Sequence, residues 1–557
     1  MNSLLRRDVP KLPQMTAPAP PPETASAAKP MFDLAGSEGV NESERVLSQL
    51  CRKSFLRLWS QTNVFTDEGF KDGKGGTKEL CDALVVFGDD VIIFSDKHVV
   101  FQADKDLKVA WPRWYKRAVR DSCRQLHGAR SWLQRFPARA FQDAKCTRPL
   151  PVPVPSGTSV RFHLVAVTRG SRDAALAHNR GEGLGSFALS SNIEGDAHHD
   201  APFAIGLPEP EKHFVHVFDE VSIELLLSEL DTAADFLDYL RKRQALLGRR
   251  GTHVMAYGEE ELLAAYLRNM NADETEHVFV DVSPEERIPD VIMFELGHFE
   301  ALTGDPAYTR KKEADRISYE WDALVDRFLR YGDPTIQGIV PSQAPSQSEQ
   351  GLRLMAAEPR YRRRQLAESF IGALRRAEPG KRLGRLVYGG IANETVYVFV
   401  VAAKKSSETY DDYRRYRIGL LHAYVQTAKL KAPLGTTFVG LAFDNQHKDY
   451  PGGSEDLFVL SKPAWNEDEL AELETKRQEF GLWGEAMEMS RFRQDEFPQA
   501  SQRVAIERIS RSMVREPEDL ELRPVTADKS RQSGKAKTEK RRRKMQQASK
   551  RRNRGRK

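Results

Sequence analysis

Charged residues lie at both ends of one apolar segment, where their types and spacing are suited to chemistry. Glu79 and Asp82 stand at its start, and Ser95, Asp96 and Lys97 stand at its end. Carboxylates bind metal ions and accept protons, whereas a lysine supplies positive charge. If the segment folds as a hairpin, its two ends meet at one edge of a sheet. That edge either carries out chemistry or is a solvated charged rim, with Lys97 paired to Asp82 or Asp96.

The segment between these charges predicts a β-hairpin. Two short apolar runs, residues 83–87 and 91–94, flank a turn and are rich in Val and Ile. Short runs that are apolar on both faces are typical of buried strands. Apolar residues at spacings of three and four predict a helix from Glu44 onwards and a second helix from Trp111 onwards. A further strand is predicted at residues 160–167.

The order of these elements over residues 44–170 resembles the PD-(D/E)XK nuclease superfamily, in particular its nuclease-related-domain branch. A short strand predicted at residues 99–101 completes that order. In the superfamily an Asp opens one strand and an acid-x-Lys triplet ends the next, as Asp82 and Lys97 do here. The resemblance implies an α/β fold with a restriction-endonuclease-like helix-strand-strand-strand-helix-strand core, and it covers less than a quarter of the chain.

The resemblance also implies a role for each charged residue at this edge. Asp82 matches the first metal-binding acid, and Lys97 matches the catalytic lysine. Glu79 matches an additional upstream glutamate, with Glu44 as the other candidate. The implied cofactor is Mg²⁺ or Mn²⁺, which lowers the pKa of an attacking water and offsets charge on the scissile phosphate.

Position 95 departs from the superfamily's pattern, because this chain has Ser95 where the family has Asp or Glu. The neighbouring Asp96 is the third candidate metal ligand. Alternation along a strand puts Ser95 and Lys97 on one face and Asp96 on the other, so Asp96 reaches the site only if a bulge re-aims it. Replacing a carboxylate by a hydroxyl weakens metal binding unless Glu79 compensates.

Two basic segments predict contact with nucleic acid. The helix after the hairpin has a basic face that suits a groove along a phosphate backbone, although a merely solvated helix has the same composition. The final segment, residues 529–557, holds fifteen Lys or Arg and one Glu, a net charge of +14. Because the whole chain has a net charge of +5, the remainder has +5 − 14 = −9. Such a segment stays open until it binds a polyanion such as DNA, RNA or the ribosome; the alternative is a solubilising end. The predicted nucleic-acid-binding residues are Arg113, Lys116, Arg117, Arg120 and Arg124 on the helix and Arg541, Arg542, Arg543, Lys544, Arg551 and Arg552 in the tail.

Two further clusters interleave aromatic and basic side chains. They lie at residues 360–364 and 413–417. This pattern is consistent with stacking on single-stranded nucleic acid, but amphipathic helices of ordinary globular domains have it too.

Composition argues against several classes of protein. Apolar residues make up 40% of the chain, and no apolar run reaches the roughly 18 residues that a membrane helix needs. The N-terminus lacks the apolar region of a signal peptide. Four widely spaced cysteines without a C-x-x-C pair argue against a zinc site or a disulfide framework. We therefore expect a cytoplasmic protein without a membrane partner.

Composition and periodicity divide the chain into eight segments. The second α/β segment repeats the element order of the first, and Lys404 closes its second strand as Lys97 does, so a degenerate internal repeat stays open. The predicted segments are a disordered arm (1–43), the PD-(D/E)XK-like domain (44–170), a loop or insertion (171–210), a helix-rich mixed domain (211–340), a linker (341–352), a second α/β domain (353–482), a C-terminal helix and extension (483–528) and a disordered basic tail (529–557).

Two functions are compatible with these features. The first is a metal-dependent nuclease in which Asp82 and Glu79 hold the metal and Lys97 assists the water. The second is a catalytically inactive nuclease-fold protein that binds nucleic acid or ribosomes through its basic tail. The two differ in whether another carboxylate replaces the acid missing at Ser95.

Overall fold

The computed structural model describes residues 32–34, 36–70, 76–280, 289–331, 344–388, 395–445, 454–484 and 497–498. The described residues belong to one compact unit. They form a mixed α/β protein with three mixed sheets. No helix within these ranges is both long enough and apolar enough to cross a bilayer.

The helices are numbered in chain order. They are α1 Glu42–Trp59, α2 Leu107–Tyr115, α3 Asp121–Arg135, α4 Arg172–His178, α5 Glu220–Glu229, α6 Ala233–Leu247, α7 Glu259–Arg268, α8 His298–Thr303, α9 Pro306–Ala314, α10 Tyr319–Tyr331, α11 Ala344–Ala356, α12 Arg360–Arg376, α13 Tyr410–Thr427 and α14 Glu467–Glu479.

The strands are numbered in the same way. They are β1 Ser60–Thr66, β2 Lys78–Phe87, β3 Asp90–His98, β4 Arg161–Arg169, β5 Ala188–Glu194, β6 Ala204–Leu207, β7 Val215–Asp219, β8 His253–Ala256, β9 Val291–Phe294, β10 Leu383–Tyr388, β11 Thr395–Ala402, β12 Thr437–Asp444 and β13 Glu455–Ser461.

The first sheet has the order β1-β2-β3-β4-β7. β1, β2 and β3 form an antiparallel meander, whereas β4 and β7 run parallel to β3. The predicted hairpin is confirmed, with Gly88 at φ +61° in its turn, where a residue without a Cβ is unstrained. α1 packs on one face of the sheet, and α2 and α3 cross over on the other. Parallel β3 and β4 therefore end at one edge, beside the start of β2.

The other two sheets have the orders β10-β11-β12-β13 and β6-β5-β8-β9. In the second sheet β11 pairs antiparallel with β10 and parallel with β12, with α13 as the crossover between them. One buried apolar cluster includes residues from all three sheets, among them Phe94, Val254 and Phe399. The predicted domain boundaries therefore do not mark separate hydrophobic cores.

Three local predictions are wrong. The third strand of the meander is β1, which its polar sequence Ser-Gln-Thr-Asn concealed although its side chains are mostly buried. Residues 99–101 form no separate strand, but the backbone N–H groups of Val99 and Phe101 donate to the carbonyls of Arg169 and Gly170 and so extend the pairing beyond β3. Residues 171–210 are not a loop, because α4, β5 and β6 lie there. Residues 341–352 are not wholly a linker, because α11 begins at Ala344. The predictions for the disordered basic tail, and for most of the N-terminal arm and of residues 483–528, fall outside the described residues.

Candidate functional site

The acidic edge, as we call it here, lies where β2 and β3 separate. Their pairing ends at Ala83 and Phe94, so Asp82 on one strand and Asp96 on the other lie just beyond the ladder. The backbone N–H of Asp96 donates to Oδ2 of Asp82 at 2.7 Å, in place of a ladder bond. Lys97 follows at the end of β3 and is half-buried. The fold therefore places these three predicted residues at one edge.

Asp82 is a buried carboxyl group, only 8% exposed. Its pKa is raised from 3.8 to about 7, mainly by burial and in addition by the negative charges of Glu79 and Asp96. The N–H of Asp96 and the positive charge of Lys97 oppose this increase. Asp82 is therefore protonated in a substantial part of the molecules at neutral pH.

Ser95 faces α3. Its side chain is fully buried, and its hydroxyl donates to Oε1 of Gln125 at 3.2 Å and to Oγ of Ser122 at 3.4 Å. The hydroxyl is thus fixed by neutral partners on the crossover helix.

Asp96 faces the opposite side of the sheet, as strand alternation predicts. Nε of Arg169 donates to both of its carboxylate oxygens, at 3.1 and 3.0 Å. Nη1 of the same guanidinium donates to Glu224 at 3.0 Å. Burial raises the pKa of Asp96, whereas the charge of Arg169 opposes that shift. Asp96 is therefore held in a buried ion pair and is not turned towards Ser95 and Lys97.

Asn63 connects two further glutamates of the acidic edge. Its side-chain Nδ2 donates to Oε2 of Glu44 at 3.0 Å and to Oε1 of Glu79 at 3.1 Å. Its Oδ1 accepts from Oγ of Ser37 at 2.7 Å. Asn63 has φ +52°, a conformation that Asn adopts more readily than most residues. Sequence reasoning missed this residue, since β1 itself was missed.

The acidic edge does not fit the Mg²⁺ or Mn²⁺ that the resemblance implies. No group of three or more His, Cys, Asp or Glu within the described ranges is arranged to hold a metal ion. Asp82 accepts a backbone N–H, Asp96 pairs with Arg169, and Glu79 accepts from Asn63. These carboxylates are thus turned to different internal donors, whereas Mg²⁺ needs several oxygens converging in octahedral geometry.

The predicted basic helix face is exposed. Trp111, Trp114 and Tyr115 bury the opposite side of α2, where they contact Phe187 and His198. A π-helical turn at Lys116–Arg120 joins α2 to α3. Arg120 pairs with Asp196 at 2.9 Å, and Arg124 pairs with Asp121 at 3.1 Å. The exposed basic residues are Arg113, Lys116, Arg117, Arg120 and Arg124; we call them the basic face. The six predicted tail residues, Arg541 to Arg552, lie outside the described ranges.

The two clusters of interleaved aromatic and basic residues are mostly interior. Arg360, Arg363 and Arg364 are buried and pair with carboxylates of Asp231, Asp322 and Asp315. Arg414 and Arg417 are also buried, and both pair with Asp456. These arginines are not available for stacking on bases.

Comparison of the chain with protein-family models, with curated proteins and with solved structures finds no match. The assignment of a candidate site at the acidic edge therefore depends on the positions and contacts of its residues.

Proposed function

We propose that this protein binds nucleic acid on a restriction-endonuclease-like core and does not cleave it with a metal ion. The order α1, β1, β2, β3, α2–α3, β4 supports the first part, since it is the order that the resemblance implies. The location of Asp82 in β2, just beyond its pairing with β3, and of Lys97 near the end of β3 also supports it, because the resemblance implies an acid and a lysine on two adjacent strands.

The pairing of Asp96 with Arg169 carries the second part of the proposal. Ser95 has a hydroxyl on one face of the strand, and the carboxylate that follows it in the sequence, Asp96, is paired with a guanidinium on the other face. Breaking a buried pair of this kind costs roughly 3–5 kcal/mol, so Asp96 is not released cheaply to a metal ion.

The basic face supports binding to a polyanion. Its five side chains recur at helical spacing along the continuous helical segment from α2 to α3, and they are exposed to solvent. Lys and Arg on such a surface neutralise phosphates and release counterions, so affinity falls steeply with salt.

Fluorescence anisotropy with a labelled DNA or RNA duplex tests this proposal in the full chain. The Lys116→Gln/Arg117→Gln variant removes the charges of two exposed side chains. We expect the slope of log affinity against log salt concentration to fall by about 2. An unchanged slope would exclude the basic face as the binding surface.

The tail is the alternative binding element. A chain that ends at Asp528 loses the +14 segment. If this truncation abolishes binding while the Lys116→Gln/Arg117→Gln variant retains it, the tail alone is responsible.

Metal-dependent cleavage is the second candidate function, and the shared edge position of Asp82 and Lys97 favours it. The labelled duplexes are incubated with the full chain and 5–10 mM Mg²⁺ or Mn²⁺, about the usual range for saturating a weak oxygen-ligand site. We expect no cleavage that depends on Lys97. Cleavage that is lost in both Lys97→Ala and Asp82→Asn would instead establish a nuclease and overturn our proposal.

A further inference from the structure

The acidic edge gathers more negative charge than its one lysine balances. Glu79 and Asp96 both raise the pKa of Asp82, and Glu44 raises that of Asp96, so these carboxyl groups act on one another. Carboxylates this close repel each other unless cations or hydrogen-bond donors lie between them. The structure provides two such donors, from β1 and β4.

Arg169 is the first donor. Its side chain is 10% exposed, and that of Asp96 is fully buried. One guanidinium contacts both oxygens of Asp96 and an oxygen of Glu224, and it comes from the neighbouring parallel strand, where Arg169 pairs with His98. A fixed guanidinium with several donors neutralises carboxylates as a bound cation would.

Asn63 is the second donor. A single amide nitrogen contacts the carboxylates of Glu44 and Glu79 at 3.0 and 3.1 Å. A Mg²⁺ ion between the same two groups would need oxygens at about 2.0–2.1 Å. The amide therefore occupies the space between these carboxylates, and Ser37 holds it there through Oδ1.

We infer that Arg169 and Asn63 take the place of a metal ion at the acidic edge and keep divalent cations out of it. This inference rests on the proposed function in one respect: it assumes that the acidic edge corresponds to the metal site of a nuclease fold. It extends that proposal, since it assigns the loss of metal binding to two named side chains in addition to Ser95.

Mn²⁺ binding to the full chain, followed by the electron paramagnetic resonance signal of free Mn²⁺, tests the inference without any assay of cleavage. Asn63→Gly removes the amide and keeps the left-handed backbone, which glycine adopts without strain. Arg169→Gln removes the guanidinium. The matched controls are Asn192→Gly and Arg180→Gln, at exposed positions away from the acidic edge.

We expect the unaltered chain and Asp82→Asn to give the same Mn²⁺ isotherm. Asn63→Gly and Arg169→Gln should each reach half-saturation at an approximately tenfold lower Mn²⁺ concentration than the unaltered chain. The reason is that carboxylates without these internal donors present more negative charge to the ion. The two controls should behave as the unaltered chain does. Circular dichroism verifies that each variant is folded.

Two results would overturn the inference. One is a Mn²⁺ site in the unaltered chain that disappears in Asp82→Asn. The other is a folded Asn63→Gly variant whose isotherm equals that of Asn192→Gly. Nucleic-acid binding, measured without divalent ions, is a separate readout. If no binding is found, the proposed function fails, but the inference about Arg169 and Asn63 is unaffected.

Discussion

The first and second sheets contain the same three-strand arrangement, but their charged residues are placed differently. In both, an antiparallel pair is followed by a crossover helix and a strand parallel to the second member of the pair: β2-β3-β4 with α2–α3, and β10-β11-β12 with α13. The antiparallel pairing ends at Ala83 and Phe94 in the first, and at Leu383 and Val401 in the second. Positions beyond these pairs can therefore be compared directly.

One residue beyond the last pair, the first sheet has Asp82 and the second has Arg382. On the other strand, Ser95 corresponds to Ala402. Lys97 corresponds to Lys404, which is the similarity that the sequence already suggested. At these compared positions of β10 and β11 the second sheet thus keeps the lysine but has no carboxylate; its nearest acid, Asp444, ends the neighbouring strand β12 beside Ala402.

The second sheet carries its acids inside. Arg417 of α13 is fully buried and donates to Asp444 and, at 2.6 and 2.8 Å, to Asp456. Arg414 adds contacts to Asp456 at 3.1 Å. The comparison shows that one arrangement of strands supports either a partly solvated charged edge or a closed internal ion-pair network.

The largest expected effect is on the closed network. Arg417→Ala leaves Asp444 and Asp456 buried without their main partner, and we expect a loss of about 3–5 kcal/mol in the free energy of unfolding. Urea denaturation measures it. Arg415→Ala, an exposed neighbour on the same helix, is the control and should change stability by less than about 0.5 kcal/mol. Equal urea midpoints for the two variants would show that the buried ion pairs of Arg417 do not stabilise the second sheet.

The missing acid of the first sheet gives the second prediction. Ser95→Asp puts a carboxyl group among the neutral partners Ser122 and Gln125, and we expect the free energy of unfolding to fall by roughly 2–3 kcal/mol. Adding Mn²⁺ at 1 mM, about a saturating concentration for a sensor-type site, should not restore it. Ser461→Asp, at the exposed end of β13, is the control. Recovery of stability on adding Mn²⁺ would show that the acidic edge still accepts a metal ion.

The raised pKa of Asp82 gives a pH-dependent prediction. A carboxyl group whose folded pKa is raised to about 7 contributes stability below pH 4 that is lost as pH rises through 7. Asp82→Asn removes this loss and still accepts the N–H of Asp96. We expect the variant to be more stable than the unaltered chain by about 4 kcal/mol at pH 8, because the shift of roughly three pKa units corresponds to about 1.4 kcal/mol each, with the difference vanishing towards pH 4. Thermal unfolding at both pH values measures it, and a variant that is less stable at pH 8 would refute the raised pKa of Asp82.

The smallest expected effect distinguishes the two crossover helices. Arg117→Gln on the exposed basic face should weaken binding to a nucleic-acid duplex about two- to threefold and lower the salt slope by about 1. Arg415→Gln, on α13, should leave both unchanged. Anisotropy titrations compare them, and equal losses in the two variants would mean that the basic face has no special part in binding.

Local sequence patterns determined three strands of the first sheet. Short apolar runs predicted β2, β3 and β4, because Val- and Ile-rich segments fit buried strands, whereas the polar sequence of β1 carried no such signal. Strand alternation also placed Ser95 and Asp96 on opposite faces, since it depends only on residue parity.

Only the tertiary structure decided the chemistry of the acidic edge. Arg169 meets Asp96 from 73 residues away, and Asn63 meets Glu44 and Glu79 from a strand whose polar sequence carries no signal of burial. The arginine-rich segments of α12 and α13 have the composition of a binding surface. Most of their arginines are nevertheless buried, because they pair with acidic residues that are distant in the sequence. Long-range ion pairs depend on which strands become neighbours, and residue types and local spacing do not contain that information.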